Sequence, residues 1–236
     1  MPSTKYPREV STRDKAACCQ GASYENFHDL PFRSPEEYRC DGEASLHDTV
    51  SATDSGVKGV SPFACLSTIS IPLSSPFDVM HLVSLNFVHD LCALLNGIYF
   101  SQTHLNNHDG RMEASQWEML GNEMSKLEAP VSWGHPPRDI AKHILSFKAE
   151  ELSNFLAHYM LPLVFRSVNV AMYRALQSLV LVTSIATSYE ITHEEIQVMD
   201  HHFAIFLKWY YNTFYQGDYD RLQACKYTIH GLLHLI

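Results

Sequence analysis

Asp78 and His81 stand three residues apart at the head of a long apolar stretch, just after Pro76. On a helix that spacing puts a carboxylate and an imidazole on one face, within reach of each other. Such a pair can serve as a general acid–base unit or as half of a metal site. It also has a plainer use: an Asp favoured by the helix dipole, and a His held by hydrogen bonds. His230 and His234 repeat the theme at i and i+4, the spacing of a helical zinc pair. Gly231 and Leu232 occupy the places where an H-E-x-x-H helix carries its Glu, so a polar stripe on an apolar helix is the simpler reading. A third group is His193, Asp200, His201 and His202. His193 lies two turns before His201, and the others fan across the helix, as on a solvated face.

Tyr210, Tyr211, Phe214 and Tyr215 make an aromatic helix end. Aromatics can stack nucleic-acid bases. At helical spacing they more commonly bury area in a core or interface. The chain holds no G-x-x-x-x-G-K-[ST] loop, no G-x-G-x-x-G and no G-x-S-x-G. Phosphate-cradling loops and nucleophile elbows therefore have no support.

The elements that must position these residues are helical. Ser34-Pro35 opens a short helix over 36–46, with Ser as cap and Pro in the first turn. Gly56 to Gly59 is a turn, and 63–71 reads as a short strand or extended arm before Pro72. Apolar residues from Val79 to Leu95 cover more than one face, predicting a helix over 76–100 buried on several sides. A polar loop over 101–111 follows, then an amphipathic helix over 113–127 and a rigid loop at 134–137. A short helix is predicted over 138–145 and a longer one over 148–165, which Pro162 should end or kink. An apolar helix follows over 169–189. Thr192 and Glu195 form a capping box that opens the next helix, to about Tyr215 and Gly217. A short turn or helix over 220–225 and a last helix from Lys226 follow. The fold class is thus all-α, an irregular multi-helix bundle with a poorly ordered N-terminal segment. Residues 1–29 are expected to be disordered, 30–75 an extended or turn-rich flank, and 76–236 the helical domain.

The chain has 236 residues, 46% of them hydrophobic, enough for a proper core. Its net charge of −9 argues against a large nucleic-acid footprint, although not against a local basic patch. The six cysteines follow no zinc-knuckle or C-x-x-C spacing, as expected of a nuclear or cytoplasmic protein that is not secreted. The longest apolar run, 178–186, falls far short of the ~20 residues that span a bilayer. A soluble chain without membrane contact is expected.

Three blocks, taken together and in order, resemble the fungal CACTA-related transposases of the Plavaka or Kyakuja-Dileera-Zisupton type. The first runs from Leu30 to Tyr38 and on to Asp41-Gly42-Glu43, like that family's "LP-x-R-[ST]-x-E-x-[FY]" segment. The second joins Gly56 to Ser61 with Asp78, His81 and Asn86, like its "GVKG-x-S … D-x-MH … N" block. The third runs from Arg221 through Cys225 and His230 to His234, like "RL-x-x-C-x-x-TIH-x-LLH". The resemblance spans about residues 30–236. It implies a helical insertion within an RNase H-like core that uses three acids and two divalent metals, such as magnesium, for strand transfer. Asp78, His81, Asn86, Arg221, Cys225, His230 and His234 are then family-motif positions, not metal ligands.

In that family the first two acids lie on strands upstream of the first block, and residues 1–29 hold no strand-like stretch bearing an Asp. The third acid follows the "TIH-x-LLH" helix. The resemblance therefore implies a transposon-derived, truncated fragment with no catalytic residues, no cofactor and no strand transfer alone. Its partners would be a full-length transposase or element DNA, with self-association through an exposed apolar surface. The alternatives are a helical scaffold of unknown partner and a metal-dependent hydrolase using Asp78, His81, His230 and His234.

Overall fold

The computed structural model describes residues 34–71, 74 and 77–232. They fall into two units, one within Met1–Pro76 and the other within Phe77–Ile236. Residues 1–29, the Leu30 to Arg33 part of the first motif block, and His234 lie outside the described residues. Helices dominate, and no strand occurs among the described residues.

In the first unit, α1 (Pro35–Ser45) begins with a full capping box. Ser34 Oγ accepts from the Glu37 amide at 3.1 Å, and the Glu37 carboxylate accepts from the Ser34 amide at 2.7 Å. Two free donors are satisfied at once, so the start is sharp. Asp48 caps α2 (Thr49–Ser55) through the amides of Val50 and Ser51. Gly56, at φ 72°, ends it in the left-handed conformation that glycine adopts without penalty. α1 stands where the Ser34-Pro35 start predicts a helix, and α2 is a second one in the flank that composition marks as turn-rich. The expected strand or arm over 63–71 is instead a single 3₁₀ turn, Pro62–Cys65, followed by loops. Pro at the first turn and the Ser61 side chain on the Phe63 amide favour that turn over extended backbone.

The second unit opens with α3, a π-helix (Met80–Val88) running into α-helix (His89–Leu95). Asp78 opens the helix, its Oδ1 accepting from the Met80 amide at 2.8 Å; the expected start at Pro76 lies outside the described residues. Gly97, at φ 69°, terminates it. Next come α4 (Ala114–Met124) and α5 (Ile140–His143). α6 comprises Ala149–Asn154, a π-turn Phe155–Tyr159 and Met160–Val164. α7 is Val170–Ala186, and α8 is His193–Tyr210 continued by a π-turn, Tyr211–Tyr215. A 3₁₀ segment, Tyr219–Ala224, leads to α9 (Tyr227–Leu232).

Pro162 does not stop α6. The π-turn directly before it accommodates a residue that has no N–H and whose ring excludes the normal i−4 bond.

α7 and α8 form an antiparallel pair; α3 packs against α6 and α9, and α4 packs against α5. Phe87 of α3 meets Phe206 edge-on at 5.7 Å and Tyr210 at 6.3 Å. Phe87, Phe155, Phe203, Phe206 and Phe214 are fully buried. The Tyr210 hydroxyl donates to the Ala224 carbonyl at 3.0 Å, and Tyr99 donates to the Gln223 carbonyl at 2.7 Å. These bonds tie the 3₁₀ segment to the core. Tyr210→Phe should therefore cost about 1–2 kcal/mol, because it strands a buried carbonyl acceptor. A urea titration monitored by far-UV circular dichroism measures it, as a lower midpoint at unchanged slope.

Candidate functional site

The Asp78–His81 pair forms. His81 Nδ1 and Asp78 Oδ2 lie 2.7 Å apart, and Asp78 Oδ1 also receives the Met80 amide. The His81 hydrogen bond is the main reason the Asp78 carboxyl lies below its usual range; backbone bonds add to it. With Nδ1 engaged by the carboxylate, Nε2 is the nitrogen left to act as base, donor or ligand. Asn86 is drawn in as well, its side-chain amide donating to the His81 carbonyl at 2.7 Å. Five residues separate the two, one turn of the π-helix on which both sit.

The setting is open. The side chains of His81 and Asp78 are 60% and 58% exposed. An acid–base unit acts on a substrate held in a cleft, and an exposed ion pair contributes little to stability. Among the described residues no group of three or more His, Cys, Asp or Glu is placed to hold a metal.

The third motif block comes to the second. α9 packs on the π-helix, where Gly231 meets Leu82 and Phe77; a Cβ on Gly231 would lie 2.6 Å from Leu82 Cδ1. The side chain of His230, like His234, lies outside the described residues. Lys226 reaches both oxygens of Asp90 at 3.0 Å and lies over the Tyr99 ring. Cys225 is buried, and burial pushes its thiol up to about 12, so it packs rather than reacts. Cys92 is likewise buried with its thiol raised, as a small hydrophobe should be. The first unit shows a similar junction: the Tyr38 hydroxyl receives the Ser61 amide at 2.9 Å and donates to the Gly59 carbonyl at 3.4 Å. Gly42 lies against Val60 and Gly59. Its motif segments are thus fastened to one another too.

His202 departs from the solvated face expected of it. It is half-buried, and its Nδ1 lies 2.9 Å from Ser178 Oγ on α7. Burial, then the neighbouring His201, lowers its pKa. Ser178 is 4% exposed in mid-helix, so this contact ties α7 to α8 and offers no nucleophile. His193 and His201 are exposed, as expected. Of the aromatic end of α8, Tyr210, Phe214 and Tyr215 are buried. They fill the core and present no stacking platform.

A polar cluster that spacing did not signal surrounds Arg221. The whole residue is 7% exposed, and so is nearly enclosed. Its Nε is 3.7 Å from Asp218 Oδ2, and Nη2 makes one long bond, 3.5 Å, to the Asn107 carbonyl. Nη1 has no protein partner. Beside it His108 is 8% exposed, with neither ring nitrogen partnered. Its ring stands edge-on to Phe214 at 4.9 Å and to Phe100 at 6.5 Å. Burial, then the Arg221 and Arg111 charges, pushes the His108 pKa down to about 4. No local pattern announces the cluster, since Asn107 and Arg221 are 114 residues apart.

Comparison of the chain with protein-family models, with curated proteins and with solved structures gave no match in any of the three.

Proposed function

We propose that this chain is a transposon-derived helical domain that binds and positions, within a transposase of the fungal CACTA-related type, and does not cut DNA itself. The observation that supports the reading is the pairing of separated motif segments. Gln223 and Lys226, which flank Cys225, and α9 are fastened to α3 and the segment after it, through Tyr99, Asp90 and the seating of Gly231 on Leu82. A motif whose parts lie about 140 residues apart, yet meet in space, behaves as one structural unit. On this reading Asp78, His81 and Asn86 shape the start of α3, and the domain's partners are a full-length transposase or element DNA.

The test is direct. The purified chain should leave supercoiled plasmid intact in manganese or magnesium, and calorimetry should detect no zinc, manganese or magnesium binding at tens of micromolar. Metal-dependent nicking that disappears in His81→Ala would replace this reading with the hydrolase. The genomic DNA on either side should encode remnants of the strand-borne acids upstream and of a tryptophan-rich segment downstream. Their absence on both sides would count against transposon origin.

A second reading, a scaffold that binds another protein, is favoured by exposed apolar side chains on the helical pair. Leu181 of α7 and Val198 and Ile205 of α8 are each close to 40% exposed. Both readings predict self-association of the isolated chain, since uncovered apolar surface seeks a partner. Light scattering should give a mass above 26.9 kDa that rises with concentration. A monodisperse monomer would remove that expectation.

A further inference from the structure

We propose that Arg221, His108 and Arg111 form a binding site for a phosphate-like oxyanion, closed over by the segment Asn107–Arg111. The proposal is independent of the transposase reading.

The first ground is the state of Arg221. A guanidinium has five N–H donors, and an enclosed one is normally held by a bidentate carboxylate. Here the nearest carboxylate, Asp218, is 3.7 Å from Nε and its side chain is 47% exposed. One hydrogen bond of 3.5 Å and the Phe100 ring, 5.7 Å from the guanidinium carbon, complete the set. Burying a cation so weakly compensated costs stability, and an apolar side chain of similar volume would remove that cost. The arrangement is explained if an anion completes it.

The second ground is what surrounds Arg221. His108 adds two buried ring nitrogens without a partner. Arg111 adds a further positive charge; its exposed side chain lies along Gly97, where a Cβ would meet Nε at 2.6 Å. The charged groups facing His108 are Arg221 from the 3₁₀ segment, and Arg111 and Asp109 from its own loop. Asp218 pairs with Arg221, and the π-turn of α8 contributes Phe214 against the His108 ring and Thr213 against Gly110, neither of them charged. The two arginines stand with Asp109 and Asp218, and the donors left over, Arg221 Nη1 and the His108 ring nitrogens, are the buried ones.

The third ground is how the loop is hung. Asn106 is anchored by its side chain to both the amide and the carbonyl of Phe100, at 2.9 and 2.8 Å. Met112 is anchored by its amide to the Leu95 carbonyl at 2.8 Å. Between these posts, 107–111 forms a turn closed by the Arg111 amide on the His108 carbonyl. Across to Arg221 the loop makes only the long Asn107 bond. Entry of an anion to Nη1 and the imidazole requires these five residues to move between the two anchors, lifting His108 from Phe214 and Gly110 from Thr213.

Binding should take up a proton. His108 is neutral at pH 7 because burial and two cations oppose its charge. An oxyanion beside it reverses the sign of the local field and favours imidazolium, a second charged donor. For an oxyanion whose own charge is constant over this range, such as sulfate, affinity should therefore rise as pH falls from 7.5 to 5.5.

The test is an NMR titration of the full chain with sulfate against chloride at equal ionic strength, at both pH values, followed on the histidine ring resonances. A 20-base-pair duplex forms a second arm. His108→Gln assigns the His108 signals. Movement of those signals with sulfate, tighter at pH 5.5 and weakened roughly tenfold or more in Arg221→Met, is the expected result. Movement with the duplex alone, lost in the same variant, supports the site and identifies the phosphate as nucleic-acid borne. No movement with either probe, or movement unchanged in Arg221→Met, overturns the proposal; a bridging water would then suffice for these groups. Should Arg221→Met fail to fold, Arg111→Gln must weaken the wild-type response, and an unchanged response in it counts against the site.

Discussion

Gly121→Val lowers the unfolding free energy by about 3 kcal/mol or more, by the overpacking of a closed contact. Gly121 lies inside α4, where glycine is otherwise unfavourable by roughly 0.5–1 kcal/mol relative to alanine. It is there because α5 comes too close for any side chain. A Cβ at this position would collide with Asp139 Oδ1, and would lie 2.7 Å from the Ala141 Cβ and 2.8 Å from the Ala141 amide nitrogen. None of these can yield cheaply. Asp139 is the cap of α5, its Oδ1 accepting from the Ala141 and Lys142 amides while Oδ2 holds Lys142 at 2.7 Å. The other two atoms belong to the first turn of α5 itself. Gly121→Ala is the sharper arm, since helix propensity alone predicts a gain and the contact predicts a loss. A urea midpoint that falls for both variants, further for Val, is the expected outcome. A rise for Gly121→Ala would mean that α4 and α5 are further apart than described.

Acid weakens the protein through His108 before it weakens it through its carboxylates. The ordinary histidine value is 6.5, and in the fold His108 is held at about 4. The unfolded chain therefore takes up the proton first. The stability linked to this group is complete above pH 6.5 and is lost as pH falls from there to about 4. Over that window the loss from this one group is about 3 kcal/mol. The half-buried His202 is depressed too and acts in the same direction. The carboxylates with lowered values, Asp139 and Glu151 among them, act the same way but at lower pH, as their protonation begins. The measurement is the difference in unfolding free energy between pH 7 and pH 4.5, taken for the wild type and for His108→Phe. The variant should show the smaller difference, and Arg221→Met should shrink it in part by removing one opposing charge. Equal differences in wild type and His108→Phe would show that this imidazole is not enclosed among cations.

Gly121 and His108 differ in how far sequence foretells their surroundings. Gly121 reads as a weak point in an amphipathic helix, and nothing nearby in the chain announces Asp139 as its neighbour. His108 reads as one of several polar residues in a loop. Its burial against Phe214, and the enclosure of Arg221 beside it, arise from segments more than 100 residues apart. The Asp78–His81 pair, by contrast, was legible from spacing, because its two members belong to one turn. What spacing could not supply was its exposure, which decides what chemistry the pair can do.

Sequence alone determined whatever rests on residues within a turn of each other. The capping boxes Ser34–Glu37 and Thr192–Glu195, the Asn169 cap and the burial of Leu91, Leu176, Phe203 and Phe206 all follow from local spacing. Such bonds and stripes are set by helical periodicity, which the chain writes directly. The π-turns, the tolerance of Pro162, the seating of Gly231 on Leu82 and the Arg221–His108 recess were decided by tertiary structure. Each depends on which distant surface an element meets, and close packing forces the backbone and the buried charges to conform to that surface.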